Sequence, residues 1–235
     1  MLSVDYKLQG HTICLRDSMT KFDAPDSTTI EVARAFDRPT PYFLNRPLIM
    51  LLEGLGVPFH IIEHYQDIAV QHARNAAFSV ERAANLLETH GLGASFRLPS
   101  VLNSLKKLGI NSLNQDKFYS KMMEYAINHV LRLLKNHARI PIPGAWTLVG
   151  IADIHKYLGP NEIYAYVKPL DGKGFYLEGD VLISRSPTIH PGDVQVVRAV
   201  GQPPSGTPYA KEPMENTVVF SVRGEESQST RHSWC

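Results

Sequence analysis

At Ile140 the sequence changes character, and that change limits the folds open to it. From 41 to about 138, apolar residues return every three or four positions, the period of a helix with one buried face. Over 140–222, short β-rich runs are cut apart by prolines and glycines, the punctuation of a compact barrel. Residues 1–16 alternate about the turn signal Gln9-Gly10, as a hairpin does. The order is β, then helical, then β, and the fold class expected is α+β.

Within the helical stretch, Asn45 is placed to cap a helix, with Pro47 in its first turn and Leu48, Leu51, Leu52 and Leu55 on one face. Ile68, Ala69, Ala73, Ala76, Val80, Ala83 and Leu87 draw a stripe through 64–90, closed by Gly91. Val101, Leu105 and Leu108 mark a shorter helix closed by Gly109. Phe118, Met122, Tyr125, Ala126, Val130 and Leu133 mark a longer one, with Met122-Met123 as core filling. Candidate strands lie at 146–149, 162–167, 181–184, 194–200 and 217–222. Residues 23–29 and 201–213 read as surface loops, and 225–235 as a frayed polar tail.

Net charge is +1, so any nucleic-acid surface must be a local patch rather than a global field. Cys14 and Cys235 stand at opposite ends, which is no disulfide framework and favours a reducing compartment. The most apolar stretch, 48–62, carries Glu53, His60 and two glycines and is too short to span a bilayer. The first seven residues lack the order of a signal peptide. The expectation is an intracellular, soluble chain, nuclear or cytoplasmic, without a membrane partner. Gly54-Leu-Gly56 and Gly91-Leu-Gly93 complete no phosphate-binding pattern and read as helix ends. His60 and His64 have the spacing of a metal pair but no third ligand nearby, so no metal site is expected.

Two segments carry chemistry worth weighing. Arg16 and Lys21 leave a strand into a loop, which by itself describes a solvated turn. Residues 181–197 run an apolar strand into Arg185, cross a proline-rich turn through His190 and Asp193, and return as a second apolar strand. An arginine at a barrel mouth can hold an anion or a ribose hydroxyl; equally, Arg185 can pair with Asp193 to pin the turn. Two-metal nucleotidyl transfer needs clustered carboxylates, yet no Asp-x-Asp occurs in the chain. No Ser-His-Asp or Cys-His arrangement is suggested either.

These segments, with two between them, resemble the eukaryotic cellular RNA-dependent RNA polymerases of the RNA-silencing type. Arg16-Asp-Ser-Met-Thr-Lys21-Phe22 is similar to that family's "RxSMxKF" block. Leu44-Asn45-Arg46, Ile49 and Leu55-Gly-Val-Pro58 resemble "LNR…I…LGVP". Ala138-Arg-Ile-Pro-Ile-Pro143 and Leu148-Val-Gly-Ile-Ala-Asp153 resemble "ARIPVP…LxGxxD". Arg185-Ser-Pro-Thr-Ile-His-Pro-Gly-Asp193 resembles "RxPxxHPGD". Four blocks in the right order make the match specific.

The resemblance implies a core of two double-psi β-barrels: residues 1–40 ending the first, 41–138 a helical connector, 139–224 a partial second barrel and 225–235 a divergent tail. It implies that Arg185 faces the incoming nucleotide, that Lys21 and, more weakly, Arg16 face phosphates or RNA, and that His190 and Asp193 shape the turn. RNA template and nucleoside triphosphates are the implied substrates, Mg²⁺ the implied cofactor of the complete enzyme, and other silencing proteins possible partners. The family's metal-binding "DxDGD" loop does not follow Gly224; the adjacent Glu225 and Glu226 are not expected to rebuild its three carboxylates. No catalytic residue is therefore assigned, no metal is expected on this chain, and it reads as an internal piece of a longer protein. The expected result is no extension of a primed RNA template by this polypeptide in Mg²⁺ or Mn²⁺; template-dependent product above a mock preparation would contradict it. A non-catalytic RNA-binding remnant is the alternative, distinguished by RNA affinity that does not require Mg²⁺.

Overall fold

A computed structural model describes residues 7–15, 17, 22, 31, 38–169 and 172–223. The loop at 23–29, the tail at 225–235, the cations Arg16 and Lys21, and residues 1–6 of the expected hairpin lie outside these. None of residues 7–15 is in a strand, and Ile13 and Leu15 are exposed there, so the alternation buries no face. The class is mixed α+β, and the described chain divides into two compact units.

One unit comprises 40–147 with 182–196. Strand β1 (Thr40–Phe43) opens it, followed by α1 (Arg46–Gly54), α2 (Phe59–Asn75), α3 (Val80–Thr89), α4 (Leu98–Lys107) and α5 (Lys117–His137). Strand β2 (Pro141–Thr147) closes it, antiparallel to β1. The clasp is tight: the Leu44 amide donates to the Ile140 carbonyl at 2.8 Å. Asn45 caps α1 by accepting from the Leu48 amide, as its position ahead of Pro47 implies.

The expected stripe from 64 to 90 is correct in spacing but not in continuity. Ala69, Ala73, Ala76, Val80, Ala83 and Leu87 are all buried. The chain nevertheless breaks at Ser79, which is extended at φ −151° and starts α3 afresh by accepting from the Arg82 amide. The apolar spacing survives because the break leaves both helices facing the same core.

Two helical faces differ from the expectation. On α4, Leu102 is buried while Val101 and Leu108 are exposed; on α5, Tyr119, Met123, Val130 and Leu134 are buried while Phe118 and Tyr125 face solvent. Val130 is buried as expected, and Met122 and Ala126 pack against the core, but the aromatic residues at 118 and 125 lie off the buried stripe.

Asp116 caps α5, accepting from the Tyr119 amide at 2.7 Å. Asp116→Ala is expected to lower stability by about 1 kcal/mol. A urea denaturation midpoint indistinguishable from that of the parent would contradict it.

The second unit contains the described residues among 1–39, 148–181 and 197–235. Its strands are β3 (Val149–Ala152), β4 (Glu162–Val167), β5 (Phe175–Tyr176), β6 (Glu178–Ser184), β7 (Val194–Val200) and, after the short helix α6 (Pro208–Lys211), β8 (Thr217–Phe220). The strand order is β3-β8-β4-β7-β6, with β5 on β4; β6 and β7 each run on into the first unit. β3 lies parallel to β8, β4 antiparallel to β8 and parallel to β7.

The expected strand at 146–149 resolves into the end of β2 and the start of β3, parted at Leu148. β6 begins three residues early, with Gly179 at φ +86° taking a kink that a side chain would resist. Ile163, Tyr164, Ala165 and Val167 of β4 are all buried, the near-continuous apolar run of a strand covered on both faces. Leu158, Tyr164, Tyr209 and Val219 form the centre of this core. Gly150 is small because a Cβ there would meet the Phe220 ring at 2.8 Å.

Candidate functional site

The turn from Arg185 to Asp193 lies wholly within the first unit, between the end of β6 and the start of β7. Asp193 organises it. One carboxylate oxygen accepts from the Ile189 and His190 amides at 3.0 and 2.9 Å. The other accepts from Arg185 Nε at 2.9 Å. The two backbone donors and, to a lesser degree, Arg185 hold the Asp193 carboxyl down to about 2, against the partial burial that opposes them. The two amides would therefore keep the carboxylate in place even without the guanidinium.

The rest of the turn is equally tied. The buried Thr188 hydroxyl donates to the Arg185 carbonyl. His190 caps the single helical turn Pro191–Asp193 by accepting at Nδ1 from the Gly192 amide at 3.0 Å. The Gln195 side-chain amide donates to the Gly192 carbonyl. Just before Arg185, the Ser184 hydroxyl meets Tyr42 at 2.8 Å. Arg185 is thus a fixed cation: Nε faces Asp193, and the side chain remains 37% exposed, against 11% for Asp193. Geometrically the Arg185–Asp193 pair is present; such a pair is compatible with a guanidinium that also meets an anion, because Nε is only one of its donors.

One buried carboxylate was given no role in the sequence reading. Asp153 closes β3 in the second unit and is fully buried. It accepts from the Leu158 amide at 2.7 Å, the His155 amide at 3.1 Å and the Tyr209 hydroxyl at 2.5 Å. Burial, then the bond to Asp153, pushes the Tyr209 hydroxyl well above the usual tyrosine range. Beside it is a cavity of about 20 Å³ lined by Ile151, His155, Tyr209 and Met214, space for one water and not for a nucleotide. In the sequence Asp153 stood as an aspartate ending an apolar strand and as the last residue of a polymerase-like block. Its main partner, Tyr209, sat in a stretch read as surface loop.

His60 and His64 are exposed on α2. Among the described residues, no three His, Cys, Asp or Glu side chains converge as a metal ion requires, and no helix is long and apolar enough to cross a membrane.

Residues 1–233 match the family model for RNA dependent RNA polymerase. The chain belongs to that family. It is 30% identical over 216 residues to the probable RNA-dependent RNA polymerase 1 of Oryza sativa subsp. japonica, a match covering 90% of this chain and 27% of the rice protein. It is also 30% identical over 214 residues to RNA-dependent RNA polymerase 1 of Arabidopsis thaliana, covering 90% of this chain and 18% of that one. The chain therefore spans about a quarter or less of the length of these polymerases. Among solved structures, the RNA dependent RNA polymerase QDE-1 from Thielavia terrestris shares its fold, with a TM-score of 0.54 and 17% identity over 80% of this chain and 23% of that one.

Proposed function

We propose that the chain is part of the catalytic core of an RNA-templated RNA polymerase of the gene-silencing kind, and that its Arg185 turn faces the incoming nucleoside triphosphate. The observation that carries this reading is the construction of the turn. Thr188, His190 and Asp193 tie the backbone from Arg185 to Gly192, and Asp193 holds Arg185 Nε, so the guanidinium is presented with little entropy left to lose on binding. A planar guanidinium offers several donors to a ribose or phosphate at once, which an ammonium does not. In this reading Lys21 and Arg16 contribute further positive charge toward phosphates or RNA. In the same reading residues 1–40 end a first double-psi barrel, 41–138 are a helical connector, and 139–224 are part of a second barrel.

The chemistry is RNA-directed nucleotidyl transfer, with divalent metal ions, Mg²⁺ foremost, supplying charge neutralisation at the transferring phosphates. The described residues supply no ligand set for those ions, so no step is assigned to a metal here. What the chain contributes is positioning.

The test is a side-by-side measurement in a chain that carries the aspartate loop. Arg185→Lys is expected to weaken nucleotide use about ten- to a hundredfold, as loss of a charge-assisted bond worth about 1.5–3 kcal/mol implies, with little change in melting temperature. If Arg185→Lys and Asp193→Asn instead lower the melting temperature equally and leave nucleotide dependence alone, Arg185 is only a turn pin and the reading fails.

A further inference from the structure

Helix α5 has an outer face that the core does not explain. Its buried residues, Tyr119, Met123, Val130 and Leu134, lie on one stripe. At 3.6 residues per turn, Phe118, Lys121, Tyr125, Asn128, Arg132 and Lys135 form a second stripe about 180° away, running about 25 Å along the axis. All six are exposed, Phe118 by 75% and Tyr125 by 69%.

A helix face turned to water normally carries charge and few large rings. This one sets two rings, Phe118 and Tyr125, about Lys121 and follows them with Arg132 and Lys135. α5 holds Lys117, Lys121, Arg132 and Lys135 against the single carboxylate Glu124, although the whole chain is nearly neutral. Lys121 pairs with Glu124 at 2.8 Å and also lies 5.9 Å from the Tyr125 ring centre. Arg132 is folded back on its own helix, its Nε reaching the Asn128 carbonyl. At the last turn of the helix, Arg46 donates to the Asn136 carbonyl at 2.7 Å.

We infer that the Phe118–Lys135 face of α5 is a docking track for single-stranded RNA, with Phe118 and Tyr125 stacking on unpaired bases and Lys121, Arg132 and Lys135 following the phosphates. The inference rests on the polymerase reading and extends it to a helix face that shares no residue with the Arg185 turn. Charge complementarity selects a polyanion, and exposed rings between the cations select one with accessible base faces. A-form duplex RNA hides its bases in the stack, so it would use the cations alone.

The experiment uses the whole 235-residue chain and two fluorescent probes, a single-stranded oligouridylate and an RNA duplex, followed by anisotropy across a salt series. Phe118→Ala/Tyr125→Ala is expected to weaken oligouridylate binding about tenfold or more while sparing the duplex. Lys121→Gln/Arg132→Gln/Lys135→Gln is expected to flatten the logarithmic salt dependence of oligouridylate binding by about 2. Circular dichroism confirms that these surface variants fold. His60→Gln, a change at an exposed residue of α2 outside both sites, is expected to bind oligouridylate like the parent, and nucleotide use is read separately through Arg185→Lys, which keeps the two readings apart.

Unchanged affinity in both α5 variants, or no oligouridylate binding by the parent, overturns the inference and leaves the Arg185 test untouched. An aromatic variant that abolishes self-association without altering RNA affinity also overturns it, by showing that the face meets protein.

Discussion

Asp153→Ala is expected to destabilise the chain by about 3–5 kcal/mol. The substitution removes the acceptor from three donors at once: the Leu158 amide, the His155 amide and the Tyr209 hydroxyl. A buried donor left without a partner costs about 1–3 kcal/mol. The full sum is not reached, because a water entering beside the small cavity can take over part of the load. Loss of the hub should also release Tyr209, which stacks on Tyr164 at 4.8 Å and sits edge-on to Tyr157. Asp153→Asn keeps one acceptor oxygen and is expected to cost less than the alanine change. Tyr209→Phe removes a single bond and is expected to cost about 1.5–3 kcal/mol. Urea denaturation of the three variants against the parent gives the order Ala, then Asn and Phe, from least stable upward. An Asp153→Ala midpoint within experimental error of the parent would refute the hub.

This residue also shows where sequence reading stops. Asp153 was visible as the last member of a polymerase-like block, but nothing local told what it does, because Tyr209 lies 56 residues away. Tyr209 itself was hidden by context: 201–213 is rich in proline and glycine, and such stretches read as loop even when they contain a turn of helix.

Strand β1 was hidden for a related reason. Four residues with Pro41 among them carry little strand signal; what makes Thr40–Phe43 a strand is β2, about a hundred residues downstream. By contrast the alanine-rich stripe through 69–87 was legible, because small residues at helical spacing have few other ways to be buried together. The Arg185–Asp193 turn was legible as a place and open as a mechanism. Eight residues of spacing allow an ion pair without saying what else the guanidinium meets.

A second large effect is expected from acid. His90 ends α3, its ring 5.4 Å from that of Phe43, while the Arg139 guanidinium lies over the same Phe43 ring at 4.2 Å. Its Nδ1 is buried and finds no hydrogen-bond partner among the described residues. Two influences oppose each other here. A helix C-terminus favours a protonated histidine by about 0.3–1 kcal/mol, up to about 2 in partly buried geometry. Burial, followed by the charges of Arg139 and His129, disfavours it, and these win: His90 is lowered from 6.5 to about 4.

The unfolded chain therefore takes up a proton at higher pH than the folded one. Stability from this residue is complete above about pH 6.5 and is lost progressively as pH falls toward about 4, by about 3 kcal/mol in all. His90→Phe removes the titrating group and keeps a ring against Phe43. The difference in unfolding free energy between variant and parent, measured from pH 7.5 to pH 4.5, should swing in the variant's favour by about 2–3 kcal/mol, because groups common to both cancel. A difference that stays flat across that window would show that His90 takes up its proton without cost in the folded chain.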